Sequence, residues 1–226
     1  MKKIKNLFDV IGPTIIGPSS SHTAGAVRLG YLAGKIYGKK PQQVTFKLYN
    51  SFAKTGKGHG TDKGLLGGVI GFDVDNEQIK NVFEIVKKEN IKYNFEFLEN
   101  FSRHPNSVDI IFDGEEKMEI SGASLGAGDV VIDNINGYKF NINGNYPTLL
   151  LIYKDKPGMI YNATVLIQKQ NINIASMSCE RKARGEEASM AIYLDSPIRP
   201  ELLEELKKID EIYFVRSLDI LKWKMI

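Results

Sequence analysis

The sequence predicts an α+β chain of two domains, and three observations carry that expectation. Short alternating strands and amphipathic helices follow one another irregularly through the first two thirds of the chain. A run of turn formers, NINGNYP at Asn141–Pro147, then interrupts them. Beyond it the pattern restarts as strand, helix, strand, strand, helix, strand. The expected domains are residues 1–145 and 148–226.

In the first domain, Ala26, Leu29, Ala33 and Ile36 recur at three- and four-residue spacing, which predicts a helix from about Ser21 to a stop at Gly38. VTFKLYN (Val44–Asn50) alternates as a half-buried strand and opens into the loop-like SFAKTGKGHGTD. A second helix is expected from about Asp62, weakened by Gly67, Gly68 and Gly71. NEQIKNVFEIVKK places Ile79, Val82, Phe83 and Val86 on one face of a third helix. IKYNFEFLE and SVDIIFDG read as strands, with EKMEISGAS as partner to the second. In DVVIDNINGYKFNI, Asn136-Gly137 between apolar runs predicts a tight hairpin.

The second domain is expected to hold strands at Thr148–Tyr153, Asn173–Lys182, EEASMAIYL and EIYFVRSLDI. Its helices are expected at Met159–Gln170 and at Arg199–Lys208, the latter opened by Pro200. This βαββαβ order is ferredoxin-like when it forms one sheet.

Composition narrows the function classes. With 42% hydrophobic and 25% charged residues among 226, the chain is of ordinary globular type. Thirty basic and 27 acidic residues leave a net charge of +3 without a Lys/Arg run, so no nucleic-acid partner is expected. No stretch approaches the ~20 apolar residues of a membrane span. The N-terminus carries Asp9 and two Gly-Pro breaks where a signal peptide needs an apolar core, so a mature cytoplasmic chain is expected. The single cysteine, Cys179, allows neither an internal disulfide nor a cysteine-rich metal site from this chain.

All three histidines sit in turn-rich segments: GPSSSHTAG with His22, TGKGHGTD with His59 and RHPNS with His104. Backbone can approach a ligand closely in such segments, which points to one shared site. In the first, one serine suffices to cap the helix; Ser19, Ser20, Ser21 and Thr23 together offer a cradle for a carboxylate or phosphate. No Gly-Lys-Ser/Thr ends the stretch, which counts against nucleotide binding. In the second, Gly56, Gly58 and Gly60 bracket Lys57 and His59, an imidazole able to act as general base. In the third, Arg103, His104, Asn106 and Ser107 suit a small polar acid. A serine hydrolase is disfavoured because Ser21 and His22 are sequence neighbours and no G-x-S-x-G elbow occurs. A three-histidine metal site has no H-x-H or H-E-x-x-H spacing behind it. In the second domain, KDKPG supplies a second candidate site, where Asp155, Pro157 and Gly158 at a strand-to-helix turn could hold an amino acid.

IGPSSSHTAGAVRLG, GKGHGTD, RHPNS and SLGAGDVVIDNING, in that order, resemble the β chain of the iron–sulfur-dependent L-serine dehydratases over roughly the first 145 residues. The remainder, with D-x-P-G after its first strand, resembles an ACT domain. The resemblance implies conversion of L-serine to pyruvate and ammonia without pyridoxal phosphate. It implies a [4Fe-4S] cluster carried by a separate α chain, with no metal ligand from this one. It assigns His59, His22 and His104 to the site; the glycines flanking His59 allow the closest approach and make it the expected base. Ser19, Ser20, Ser21, Thr23, Lys57, Gly58, Asn106 and Ser107 are implied for substrate. L-serine is also implied as an effector at Asp155, Pro157, Gly158 and Asn173, with homodimerisation through the ACT domains. The rival expectation is a serine-sensing regulatory protein without turnover. One departure stands out: Gly126-Ala127-Gly128 replaces three consecutive glycines, and alanine favours negative φ.

Overall fold

A computed structural model describes residues 16–56 and 58–221. The chain divides into two compact units, and Asp133 begins the second. Lys57 lies outside the described residues.

In the first unit, a π-helical turn at Ser20–Ala24 leads into α1 (Gly25–Tyr37). Ala26, Leu29, Ala33 and Ile36 are fully buried, as their spacing predicts, and Gly38 ends the helix at φ 72° with its N–H on the Gly34 carbonyl. Strand β1 (Gln43–Tyr49) follows, then a short helix α2 (Ser51–Thr55) where a loop was expected, and α3 (Thr61–Val69). The expected helix at 76–88 is two pieces. Glu77–Asn81 is 3₁₀, capped by Asn76, and α4 (Val82–Lys88) starts after Asn81 leaves helical angles at φ −111°, ψ 18°.

Strands β2 (Lys92–Leu98), β3 (Ser107–Asp113), β4 (Met118–Gly126), β5 (Asp129–Ile135) and β6 (Tyr138–Ile142) complete a six-stranded sheet of order β2-β1-β3-β4-β5-β6. It is mixed: β1 runs parallel to β2 and antiparallel to β3. Helix α1 lies against β3 and β4, where Tyr37 stacks on Phe112 at 4.3 Å between ring centroids.

Of the glycines that weakened the expectation for α3, Gly68 has a packing reason. A Cβ on Gly68 would stand 2.0 Å from the Val27 carbonyl oxygen, and one on Gly30 2.2 Å from that of Leu65. Helices α1 and α3 therefore touch backbone to backbone.

The β4–β5 connection turns on Ala127 at φ 50° and Gly128 at φ 78°, so alanine does adopt the left-handed region. That conformation costs an L-residue roughly 1–2 kcal/mol, whereas glycine's extra chain freedom returns only about 0.5–1 kcal/mol. Ala127→Gly is expected to raise stability by about 0.5–1 kcal/mol, read as a higher urea midpoint; a lower midpoint would refute the strain. Asn136 (φ 51°) and Gly137 (φ 85°) form the expected hairpin turn.

The second unit, which begins within β5 and so includes β6, further contains β7 (Thr148–Lys154), α5 (Met159–Lys169), β8 (Ile174–Arg181), β9 (Glu187–Leu194), α6 (Pro200–Lys207) and β10 (Ile212–Leu218). Their sheet order, β10-β7-β9-β8, is the ferredoxin-like one. Its core joins Leu149, Leu151, Met190 and Ile192 of the central strands to Met159, Ala163, Ile167, Leu202 and Leu206 of the helices. Pro200 opens α6, and Gly158 takes φ 92° just before α5, which accounts for the glycine of D-x-P-G.

Candidate active site

Three segments that are far apart in sequence meet at one end of β1. The first is the helix start. Ser19 caps it, its Oγ accepting from the His22 N–H at 3.1 Å, while its carbonyl accepts from Thr23 and Ala24. Ser21 Oγ lies 3.2 Å and Ser19 Oγ 3.5 Å from His22 Nδ1. On the other side of the ring, Nε2 lies 3.1 Å from Ser51 Oγ.

The second segment is the glycine loop. Its tightness comes from two backbone bonds, His59 N–H to the Thr55 carbonyl and Thr61 N–H to that of Gly56, with Gly60 at φ 69°. Thr23 Oγ1 donates to the His59 carbonyl at 2.8 Å, tying helix start to loop. The His59 ring thereby stands edge-on to His22, with centroids 5.1 Å apart.

The third segment is the RHPNS turn. The Pro105 carbonyl accepts from the Ser51 and Phe52 N–H groups, and the Asn106 carbonyl from the Ser124 N–H. Ser124 Oγ in turn donates to the Ser21 carbonyl at 2.9 Å. Arg103, read from sequence as a cation for a substrate acid, is committed elsewhere. It makes two bonds to Asp109 at 2.7 and 2.8 Å and lies over the Tyr49 ring. Burial alone would raise the Asp109 pKa, but Arg103, Ser121 and Tyr49 hydrogen bonds hold it below the usual carboxylate value. Arg103 thus anchors the turn that carries His104. The His104 ring, exposed, accepts from the Asn106 N–H through Nδ1.

The two juxtaposed imidazoles differ in their surroundings. His22 is half-buried with both nitrogens facing hydroxyls; its pKa is lowered, first by burial and then by the neighbouring His59. His59 is exposed, and no hydrogen bond among the described residues engages its ring nitrogens. The lowered His22 value has a sign for stability. Between the folded value and the unfolded one near 6.5, the unfolded chain binds the extra proton. Stability is therefore full above about pH 6.5 and declines as pH falls through it. Urea midpoints between pH 7.5 and 5.5 are expected to fall less in His22→Asn than in wild type; equal slopes would count against it.

Reading the sequence missed several groups here. Ser51 bridges two of the segments, and Ser124 joins the helix start to β4. Their partners are distant in sequence, so local pattern carried no signal. The hydroxyl of Thr61, also missed, is buried without a partner among the described residues; Asn106 Oδ1 and Ser107 Oγ, which the sequence had marked for substrate, are likewise buried and unpartnered.

A family model described as serine dehydratase beta chain matches residues 5–125. The chain belongs to that family. It is 38% identical to the probable L-serine dehydratase beta chain of Bacillus subtilis, over 96% of this chain and 99% of the relative. It is 36% identical to the L-serine dehydratase beta chain of Peptoniphilus asaccharolyticus, over 94% and 97%. A D-3-phosphoglycerate dehydrogenase of Synechocystis matches 39% of the chain at 35% identity but only 16% of its own length, so part of this chain also resembles part of another enzyme. As a member of the family, the chain is a dehydratase subunit whose beta designation implies a partner subunit. No helix among the described residues is long and apolar enough to cross a membrane.

The second unit has a cavity of about 640 Å³ lined by Tyr153, Asp155, Pro157, Gly158, Cys179 and Arg181, among others. Asp155 in it is already held by Arg181 and by the Gly185 N–H, each at 3.1 Å. Asn173 does not line it; its amide donates to Asp195 at 2.8 Å.

Proposed function

We propose that this chain is the substrate-binding and base-supplying subunit of a two-chain L-serine dehydratase that converts L-serine to pyruvate and ammonia without pyridoxal phosphate. The observation that supports it best is the His22–His59 pair: one imidazole held between serine hydroxyls, the other exposed beside it with its nitrogens unengaged among the described residues.

Removal of water from serine requires abstraction of an unactivated α-proton by a group that can hold it. His59 is that base in this reading, because a nitrogen already committed to a hydroxyl is poorly placed to accept a substrate proton. His22, kept neutral, and His104 orient the substrate. Ser19, Ser20 and Ser21 hold its carboxylate through hydroxyls and helix-start N–H groups, while Thr23, whose hydroxyl donates to the His59 carbonyl, holds the glycine loop beside them. Lys57, Gly58, Asn106 and Ser107 complete the substrate surround; the buried Asn106 Oδ1 and Ser107 Oγ still lack a partner and suit the substrate's ammonium and hydroxyl.

The residues of this chain do not fit a [4Fe-4S] cluster. Among those described, no three His, Cys, Asp or Glu side chains converge, and the exposed Cys179 is on β8 of the second unit. The cluster is therefore assigned to the partner α chain, and no step here runs through it. The exposure of His59 fits a site that the partner chain closes over.

The second unit is read as an ACT module with L-serine as effector in the cavity at Asp155, Pro157 and Gly158. Homodimerisation is read through edge strand β8, exposed along most of its length; a monomeric mass for the full chain in solution would overturn that part. Co-expression with the cysteine-bearing partner chain under anaerobic conditions tests the main reading. Pyruvate formed from L-serine supports it. Serine binding without pyruvate would favour the regulatory reading instead.

A further inference from the structure

Asn50 is the one residue of the strand-to-helix junction whose backbone is strained. It sits at φ 52° and ψ −111°, a combination that glycine tolerates and a side chain resists. Strain of this kind persists only where the surroundings over-determine it, and here they do. The Asn50 amide donates to the Asn100 carbonyl at 2.8 Å and accepts from the Asn100 N–H at 2.8 Å. Its backbone N–H is on the Leu98 carbonyl. The next residue, Ser51, is thereby fixed in direction at the first position of α2.

Ser51 uses each of its polar groups on a different segment. Its N–H donates to Pro105 in the RHPNS turn, its carbonyl accepts from Thr55 Oγ1 at 2.8 Å, and its hydroxyl meets His22 Nε2 at 3.1 Å. The contact spans 29 residues of sequence, so helix capping does not explain it. Among the described residues, neither His22 nitrogen faces a carboxylate or carbonyl that would fix its tautomer in the usual way. Hydroxyls flank both, and a hydroxyl can donate or accept. The tautomer of His22 is therefore set by which way this hydroxyl chain, Ser51–His22–Ser21–Ser19, is polarised.

We propose that Ser51 is a positioning residue: through its bond to Nε2 it fixes the ring orientation and the tautomer of His22, and so the edge that His22 presents to His59. This rests on the proposed function only where activity is read. The groups facing His22 are His59, Ser19, Ser21, Ser51 and the ring of Phe52, 5.4 Å away between centroids. Loss of the Ser51 hydroxyl leaves the ring held at one nitrogen only.

The test has two arms on Ser51→Ala and Ser51→Thr. In the full chain alone, nitrogen NMR of the His22 ring at pH 8 reads its tautomer. Wild type is expected to show one dominant tautomer, Ser51→Ala both, and Ser51→Thr, which restores a hydroxyl, the wild-type pattern. An unchanged pattern in Ser51→Ala overturns the proposal. In the assembled two-chain enzyme, Ser51→Ala is expected to raise KM for L-serine by roughly three- to tenfold, with kcat changed much less and the wild-type KM recovered in Ser51→Thr. A rise in KM that threonine does not rescue would mark Ser51 as merely structural and also overturns the proposal. If the wild-type assembly makes no pyruvate, the functional reading fails while the NMR arm still decides the role of Ser51.

Discussion

His59→Ala, measured in the assembled two-chain enzyme, is expected to lower kcat for L-serine by about 10²- to 10⁴-fold and to leave KM nearly unchanged. The reason is the placement of the two imidazoles. A general base acts only in the transition state, so its loss lowers kcat and kcat/KM together. His59 has the required freedom: its backbone is pinned by Thr23 and Thr55, yet its ring carries no hydrogen bond among the described residues. His22 is in the opposite situation, with hydroxyls at both nitrogens and a pKa lowered by burial and by His59. His22→Ala should therefore act mainly on KM, because it removes a group that orients the bound substrate. Steady-state kinetics on both variants separate the roles. A His59→Ala enzyme that keeps its kcat, or a His22→Ala enzyme that loses more kcat than His59→Ala, would sink the assignment of the base.

Neutrality of His22 matters to this division of labour. Burial and the neighbouring His59 ring, 5.1 Å away between centroids, both lower the His22 pKa, and the hydroxyls of Ser19, Ser21 and Ser51 satisfy its nitrogens without adding charge. The abundance of serine at the helix start thus has two uses beyond the single cap made by Ser19: holding a neutral ring, and, in the functional reading, receiving a carboxylate.

How far the sequence revealed this follows from the range of each interaction. The second unit was legible element by element, since β7 and β9 are apolar runs bounded by turn formers and Pro200 and Gly158 mark helix starts through their own backbone preferences. The Asn136-Gly137 hairpin was legible for the same reason. The helix expected at 76–88 was overextended, because Ile79, Val82 and Val86 are buried whether the backbone between them is α or 3₁₀, and periodicity does not register the break at Asn81. Histidines 22 and 59 were picked out by their turn-rich context, but Ser51 was absorbed into a stretch read as loop. Its partners, His22 and Pro105, lie 29 and 54 residues away, and no local pattern encodes them. Arg103 shows the converse error: a cation beside a histidine looked like a ligand group, when its charge is spent on Asp109 six residues on.

The glycines of α3 were misjudged in a way that yields a large stability effect. Read locally, Gly68 only weakens a helix, and alanine there should help by about 0.5–1 kcal/mol. The structure reverses the sign. A Cβ at Gly68 would stand 2.0 Å from the Val27 oxygen and 2.6 Å from the Tyr31 nitrogen, both backbone atoms of α1 that cannot swing aside. Relief requires α1 and α3 to separate, and overpacking of this kind costs about 1–3 kcal/mol or somewhat more. Gly68→Ala is expected to destabilise the fold by about 2 kcal/mol net, read as a lowered urea midpoint at unchanged slope. Gly58→Ala is the matched control: its Cβ would meet only the Thr55 oxygen at 3.7 Å, so its midpoint should stay near wild type. The two helices also carry the site, since Thr23, in the π-helical turn that leads into α1, holds the His59 carbonyl just before α3. Separation of the helices should therefore loosen the His22–His59 pair, and Gly68→Ala that still folds at low temperature should lose kcat as well as stability. A Gly68→Ala chain as stable as wild type would mean that backbone contact between α1 and α3 is not what fixes the distance between the two imidazoles.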